Sequence, residues 1–244
     1  MSSPKTTMNA RERARLAAEQ AAARRRDRRI LIAVIAGFVL LVVAAGIGFQ
    51  AWRTSRSPSA APPSAAAASP VTISDGQPIV FGGPQAPVTI ALYEDFHCPH
   101  CAEFEDQFGP VITQAHQSGA ARVELYPLAF IDEGSAAAAN AMACAAEAGF
   151  GQNYYLGLFA NHTLRWSDEQ LIELAAKVGG SPTDAFKTCV MSKTHSDWVA
   201  SIDAAANANG VVQTPTMLIN GKKVDIGTLT PEALQAMISD AAQQ

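Results

Sequence analysis

The fold turns on one stretch, Val88-Thr89-Ile90-Ala91-Leu92-Tyr93-Glu94-Asp95-Phe96-His97-Cys98-Pro99-His100-Cys101. Val88 to Phe96 is rich in β-branched and aromatic residues and reads as a strand. Cys98-Pro99 then opens a helix running to about Ser118. Proline suits the first helical position, where its missing N–H would have no intrahelical partner. Arg122 to Phe130 reads as another strand, and Pro78-Ile79-Val80-Phe81-Gly82 as a short one ahead of both. Strand, helix and strand in that order make a βαβ unit with two cysteines at the helix N-terminus.

Downstream, the pattern from about Gly134 to Asn209 is mostly helical. Ser167-Asp168-Glu169-Gln170 is a capping box, and Ser181-Pro182 reads as a capping serine followed by proline at the first helical position. Strand character returns at Pro215 to Ile219. Asn220-Gly221 signals a two-residue hairpin into Lys222-Lys223-Val224, and Thr230-Pro231 caps a last helix to about Ala241. Residues 71–244 are therefore expected to be one α/β domain with a helical insert at about 134–209.

Upstream of that domain the composition changes. Residues 1–29 carry nine Lys/Arg against three acids, whereas residues 71–244 carry seven against nineteen, a formal charge of −12. An acidic domain argues against nucleic acid as partner, because phosphate neutralisation needs clustered basic side chains. Ile30 to Phe49 contains no charged residue. As a helix it would span about 30 Å, the thickness of a bilayer's hydrocarbon core. Arg24-Arg25-Arg26-Asp27-Arg28-Arg29 precedes it and only Arg53 and Arg56 follow closely. That asymmetry predicts a signal-anchor: a cytoplasmic tail (1–29), one transmembrane helix (30–52) ending at Trp52, and everything beyond outside the membrane. A cleaved signal peptide would usually have a shorter apolar core. Residues 53–70 are Ser, Ala, Pro and Thr with two arginines, too poor in large apolar side chains to fold, and read as a disordered linker.

A C-x-x-C pair alone fits half of a zinc site, a structural disulfide or a redox pair. The setting favours the last: no second C-x-x-C exists, and the compartment is oxidising. At a helix N-terminus, free backbone N–H groups and the macrodipole stabilise an anion, which lowers the pKa of a thiol at Cys98. His100, if it approaches that sulfur, adds a donor or a positive charge. Stabilising the thiolate favours the reduced form and makes the disulfide form the stronger oxidant. The acids Glu94, Asp95, Glu103, Glu105 and Asp106 oppose this to the extent that they face the sulfur.

At Tyr93-Glu94-Asp95-Phe96-His97-Cys98-Pro99-His100-Cys101, and again at Thr214-Pro215-Thr216, the chain resembles the DsbA-like branch of the thioredoxin superfamily, over roughly residues 78–242. The resemblance implies a thioredoxin-like fold with a helical insertion and protein-disulfide oxidoreductase activity. It implies a redox-active disulfide between Cys98, the exposed nucleophile, and Cys101, the buried resolving thiol. Pro99 and His100 tune that pair, and a cis-proline at Pro215 lets the Thr214 backbone pair with a substrate strand. Disulfide donation to reduced secreted proteins, with reoxidation by a membrane protein of the DsbB or vitamin K epoxide reductase type, is the implied task. No bound cofactor is expected.

Two departures leave the direction of exchange open. Many relatives carry a buried acid six residues before the first cysteine, where this chain has Leu92; Glu94 shares its strand parity and is the candidate substitute. Threonine before the cis-proline also occurs in disulfide isomerases, so a reductase or isomerase remains an alternative. A copper- or zinc-binding module using His97, Cys98, His100 and Cys101 is a third reading.

Cys144 and Cys189 form an even pair in an oxidising compartment and are expected to be bridged, against the alternative of two buried free thiols. His97 reads as exposed, and His116, His162 and His195 as surface or cap residues. Asn161-His162-Thr163 matches a glycosylation acceptor, read as coincidence.

Overall fold

The computed structural model of the chain describes residues 32, 34–49, 57–59 and 70–243. The chain divides into two units, residues 1–52 and 53–244. Within the first, residues 34–49 are helical with exposed side chains. The expected tail 1–29, and residues 30, 31, 33 and 50–52 of the expected span, lie outside the described residues. Among those described, no helix is long and apolar enough to cross a membrane.

The second unit runs β1 (Ile79–Phe81), β2 (Val88–Glu94), α1 (Pro99–Gln117), β3 (Ala121–Pro127), α2 (Glu133–Glu147), α3 (Gly151–Ala160), α4 (Asp168–Lys177), α5 (Asp184–Met191), α6 (Ser196–Ala208), β4 (Thr216–Ile219), β5 (Lys222–Lys223) and α7 (Pro231–Ala241). The strands form one sheet in the order β1-β3-β2-β4-β5. β2 and β3 are parallel, with Ile90 opposite Val123 and Leu92 opposite Leu125; the other pairs are antiparallel. Residues of both parities in β2 are buried. A parallel strand covered on both faces needs apolar side chains on both, which is why Val88 to Tyr93 lacks a clean alternation. β3 keeps the alternation, burying Ala121, Val123, Leu125 and Pro127.

α1, α6 and β2 all pack on β3, while α2 is the centre of the helical insert, touching α3, α4, α5 and α6. Its sequence explains that position. Alanines 138, 139, 141, 143, 145 and 146 are all buried, and small side chains let neighbouring helices come close. At the turn into α3, a β-carbon on Gly151 would sit 2.9 Å from the Ala146 Cα, so only glycine fits. Cys144 and Cys189 are joined by a disulfide that ties α2 to α5.

The local signals mostly fall where their chemistry puts them. Ser167 and Gln170 form both bonds of the capping box, and the Thr230 hydroxyl caps α7. Asn220 and Gly221 take φ of 47° and 76° between β4 and β5, as a two-residue hairpin turn with both central residues left-handed requires. One cap is displaced: α5 starts at Asp184, and Thr183, not Ser181, accepts from the Phe186 N–H. That register puts the Asp184 carboxylate in the first turn, where the helix dipole favours it, and buries Phe186.

Part of the expected disordered linker is held in place. Pro58 is buried, and Ser59 exchanges two hydrogen bonds with the Asn161 side chain, its N–H donating to Oδ1 at 2.6 Å and its carbonyl accepting from Nδ2 at 2.9 Å. Asn161 ends α3, and its Nδ2 donates to the Gly157 carbonyl at 2.8 Å as well as to Ser59. The rest of the linker, residues 53–56 and 60–69, lies outside the described residues. The same burial makes Asn161 a helix cap, not an open glycosylation acceptor.

Replacing both Cys144 and Cys189 by serine is expected to lower the unfolding free energy by up to about 4 kcal/mol, from the entropy of opening a 45-residue loop. Denaturant titration of the doubly substituted protein checks this, with exchange at Cys98 retained.

Candidate active site

The site is built where β2 turns into α1. Cys98 is the N-cap of α1 and Pro99 its first residue. The Cys101 and Ala102 N–H groups both donate to the Cys98 carbonyl at 3.1 Å, closing the first turn. Ahead of it, the fully buried Asp95 carboxylate locks the corner. Its Oδ1 accepts from the His97 N–H (2.8 Å) and the Ser135 hydroxyl (2.7 Å), and its Oδ2 from the N–H groups of Phe130 (2.9 Å) and Ile131 (3.1 Å).

Cys98 and Cys101 are both free thiols, Cys98 nearly and Cys101 completely buried. Their environments push them apart. The Cys98 pKa is lowered to about 5, chiefly because the Cys101 thiol donates to its sulfur. Burial works against this, and the Thr214 hydroxyl and the backbone N–H groups of Cys101 and His100 add to it. Cys101 is driven far above the ordinary thiol value by burial, by its hydrogen bond to Cys98 and by the Glu94 charge. The Thr214–Pro215 bond is cis, and the Thr214 carbonyl oxygen lies 3.8 Å from the Cys98 Sγ.

The histidines exchange the places expected of them. His100 is exposed and its ring meets Glu103 at 3.1 Å; its backbone N–H helps to stabilise the Cys98 thiolate, while Glu103, and after it the Cys98 charge, hold the imidazole above its ordinary value. His97, expected to be exposed, has a side chain only 6 % exposed. Its Nδ1 lies 2.6 Å from Asp132, the N-cap of α2, whose other oxygen accepts from Arg165 at 2.6 Å. With one ring directed at Asp132 and the other at Glu103, His97 and His100 do not converge with the two sulfurs on a common point. Among the described residues, the one close group of potential metal ligands is Cys144, Cys189 and His195, two of which are consumed by the disulfide. His195 pairs with Glu147 at 2.9 Å.

Of the five nearby acids, Glu103 and Asp106 are exposed, while Glu94, Asp95 and Glu105 are buried. Leu92 is buried among apolar side chains. The sequence reading missed Asp132, Arg165, Ser135 and Tyr155 as neighbours of the site. Asp132 followed by Glu133 just ahead of the alanine run is an N-terminal helix signal that could have marked it; the other three carry no local signal.

A thioredoxin family profile matches residues 74–240, most of the domain just described. The chain belongs to the thioredoxin family. Among solved structures it is similar to the oxidised DsbA of Mycobacterium tuberculosis (27 % identical, TM-score 0.56, covering 67 % of this chain and 88 % of that one). It is similar also to the reduced disulfide bond oxidoreductase DsbG of the same organism (25 %, TM-score 0.59, 70 % and 90 %). The oxidised BdbD of Bacillus subtilis shares the fold at 21 % identity (TM-score 0.59, 78 % and 100 %). Two curated relatives are Na(+)/H(+) antiporters, NhaA 1 of Salinispora arenicola (27 % over 83 % of this chain) and NhaA 3 of Salinispora tropica (29 % over 66 %). The chain spans 32 % and 24 % of their lengths. Within the thioredoxin-family fold, this chain places a C-x-x-C pair at the start of α1, one thiol held low and the other high.

In the reduced protein, thiolate absorbance is expected to titrate with a midpoint near pH 5. In Cys101→Ala the largest stabiliser of the Cys98 thiolate is gone, and the midpoint is expected to rise by about one pH unit or more. An unmoved midpoint would refute the assigned cause.

Proposed function

We propose that the chain donates disulfides to reduced proteins on the outer side of the cytoplasmic membrane, through Cys98 and Cys101. The observation that carries this reading is the split between the two thiols. A Cys98 held near pKa 5 is ionised at neutral pH, and its thiolate is stabilised only in the reduced form. A disulfide whose reduced form is stabilised gives up its oxidising equivalents readily, and a low-pKa sulfur is a good leaving group.

In this reading a substrate thiolate attacks the Cys98 sulfur and Cys101 leaves. The substrate's second thiolate then attacks its own sulfur in the mixed disulfide and releases the Cys98 thiolate. The Thr214 carbonyl beside the Cys98 Sγ offers a backbone acceptor to an extended substrate segment. Phe130, Ile131 and Val212 are exposed apolar side chains, in the loops held by Asp95 and leading to Thr214, and supply sequence-tolerant contact area. Pro99 starts the helix and His100 supplies its backbone N–H. The cysteine pair carries the redox chemistry, so no bound cofactor is called for. Reoxidation falls to a membrane protein of the DsbB or vitamin K epoxide reductase type, in keeping with a signal-anchor at residues 30–52. Transport is not part of this reading, because the match covers a third or less of the antiporters.

The linkage has a definite sign. A thiol depressed on folding stabilises the reduced protein fully above its ordinary pKa, about 8.5, and that contribution is lost as pH falls through about 5. The stability of the reduced form relative to the oxidised form is therefore expected to shrink between pH 7 and pH 4, measured by denaturant titration of both. Equilibration with glutathione is expected to give a potential well above thioredoxin's, about −270 mV. A value at or below that would make the chain a reductase. Cys101→Ala is expected to accumulate mixed disulfides at Cys98 with extracytoplasmic proteins, identified by mass spectrometry.

A further inference from the structure

Three residues on one face of α2 hold the turn between α5 and α6. Asn140, Cys144 and Glu147 lie at i, i+4 and i+7, so they project from the same side of the helix. Asn140 Oδ1 accepts from the His195 N–H at 2.8 Å, and its Nδ2 donates to the Val190 carbonyl at 3.5 Å. Cys144 is bridged to Cys189, with their Cα atoms 6.0 Å apart. Glu147 Oε2 meets His195 Nε2 at 2.9 Å. The Thr194 N–H donates to the Cys189 carbonyl at 3.2 Å, which folds His195 back beside the bridge. The exchange proposed at Cys98 uses none of this.

The same turn gathers a set of metal ligands. A ring nitrogen of His195 and the two sulfurs all lie within 4.8 Å of one another. Two thiolates and an imidazole are a zinc donor set, and donor atoms about 2.0–2.3 Å from a tetrahedral ion stand roughly 3.3–3.8 Å apart. Once the bridge is open, the three donors are already gathered to about the reach of one ion. A histidine that ligates zinc commonly gives its other ring N–H to a carboxylate, which fixes the ring and raises its basicity. Glu147 makes a contact of that kind with His195. The cluster also sits at the edge of the core. Cys144 is buried and Cys189 half-buried, while the side chains of His195 and Glu147 are 11 % and 43 % exposed, which gives an ion a path in from solvent.

We propose that Cys144, Cys189 and His195 form a zinc site in the chain whose insert bridge is open, with Glu147 orienting the histidine, water in the fourth position, and neither Cys98 nor Cys101 involved. Bridge and ion exclude each other. Opening the bridge takes two electrons and two protons from two thiols of an external reductant, which leave joined as a disulfide. Zinc then binds both sulfurs as thiolates and displaces their two protons. Closing reverses the exchange: the two sulfurs pass two electrons to a disulfide oxidant, the ion departs, and the oxidant takes up two protons as a pair of thiols. Either tie joins α2 to α5, so the insert of a newly made chain is held before its bridge forms as well as after.

The test uses the full chain carrying Cys98→Ala and Cys101→Ala, reduced with a phosphine under inert gas and titrated with Co2+ as a spectroscopic substitute for Zn2+. One equivalent is expected to bind with sulfur-to-cobalt charge-transfer absorption and the intense visible bands of a tetrahedral ion, and to be displaced by Zn2+. The same chain with its bridge closed is expected to show neither. His195→Ala is expected to weaken zinc binding on the order of a hundredfold, and Glu147→Gln roughly tenfold with the cobalt spectrum retained. Bound zinc is expected to slow closure of the bridge by oxidised glutathione about tenfold or more, and a chelator to restore the rate. A reduced chain without the charge-transfer band overturns the site. Zinc affinity unmoved by His195→Ala overturns it too, leaving only an adventitious dithiol. Should the doubly substituted chain not fold, the unmutated reduced chain is titrated instead: charge-transfer absorption that His195→Ala diminishes supports the site, and absorption that it leaves unchanged overturns it.

Discussion

The Asp95 carboxylate holds together the segments that make the site. It is fully buried and spends its two oxygens on four donors from three places in the chain. His97 belongs to the corner before α1, Phe130 and Ile131 to the loop after β3, and Ser135 to the first turn of α2. A buried carboxylate that lost any of these bonds would carry a large desolvation cost. The corner that presents Cys98 and the helix that begins the insert are therefore fixed by the same group. Asp132 repeats the connection, capping α2 while it pairs with both His97 and Arg165.

With the corner fixed, helix-start geometry does the rest. The backbone N–H groups of His100 and Cys101 and the Cys101 thiol point at one sulfur, and the second sulfur is left in an apolar interior. Two identical side chains three residues apart acquire opposite acidities from direction and burial alone. The glutamate beside Cys101 reinforces the difference, raising its thiol further.

Much of this was legible in the sequence because the signals were local. Strand, proline and cysteine in succession placed the pair at a helix start, and Ser167, Thr230 and Asn220-Gly221 marked their caps and turn by backbone chemistry a few residues long. What could not be read depended on contacts across the fold. The ring of His97 has no sequence neighbour to pair with, and its partner Asp132 is 35 residues away. Tyr155 lies 61 residues from Glu94 in an apolar helical run, where it reads as core. The Ser181-Pro182 cap gave way to Thr183 because burying Phe186 set the helical register. Pro58 is buried in a segment poor in large apolar side chains, and Ser59 beside it found an acceptor and a donor on Asn161.

The disulfide between α2 and α5 acquires a different meaning beside the free pair. Four cysteines can be joined in three ways, and here Cys144 is joined to Cys189 while Cys98 and Cys101 stay free. Position in the fold does the sorting. Cys144 is only 2 % exposed, inside the alanine-lined centre of the insert, and its partner is half-buried against the same core. Of the four, Cys98 alone caps a helix start that stabilises its sulfur as a thiolate. One domain thus carries a closed disulfide in its insert and, at the start of α1, a free thiol pair with one acidic member.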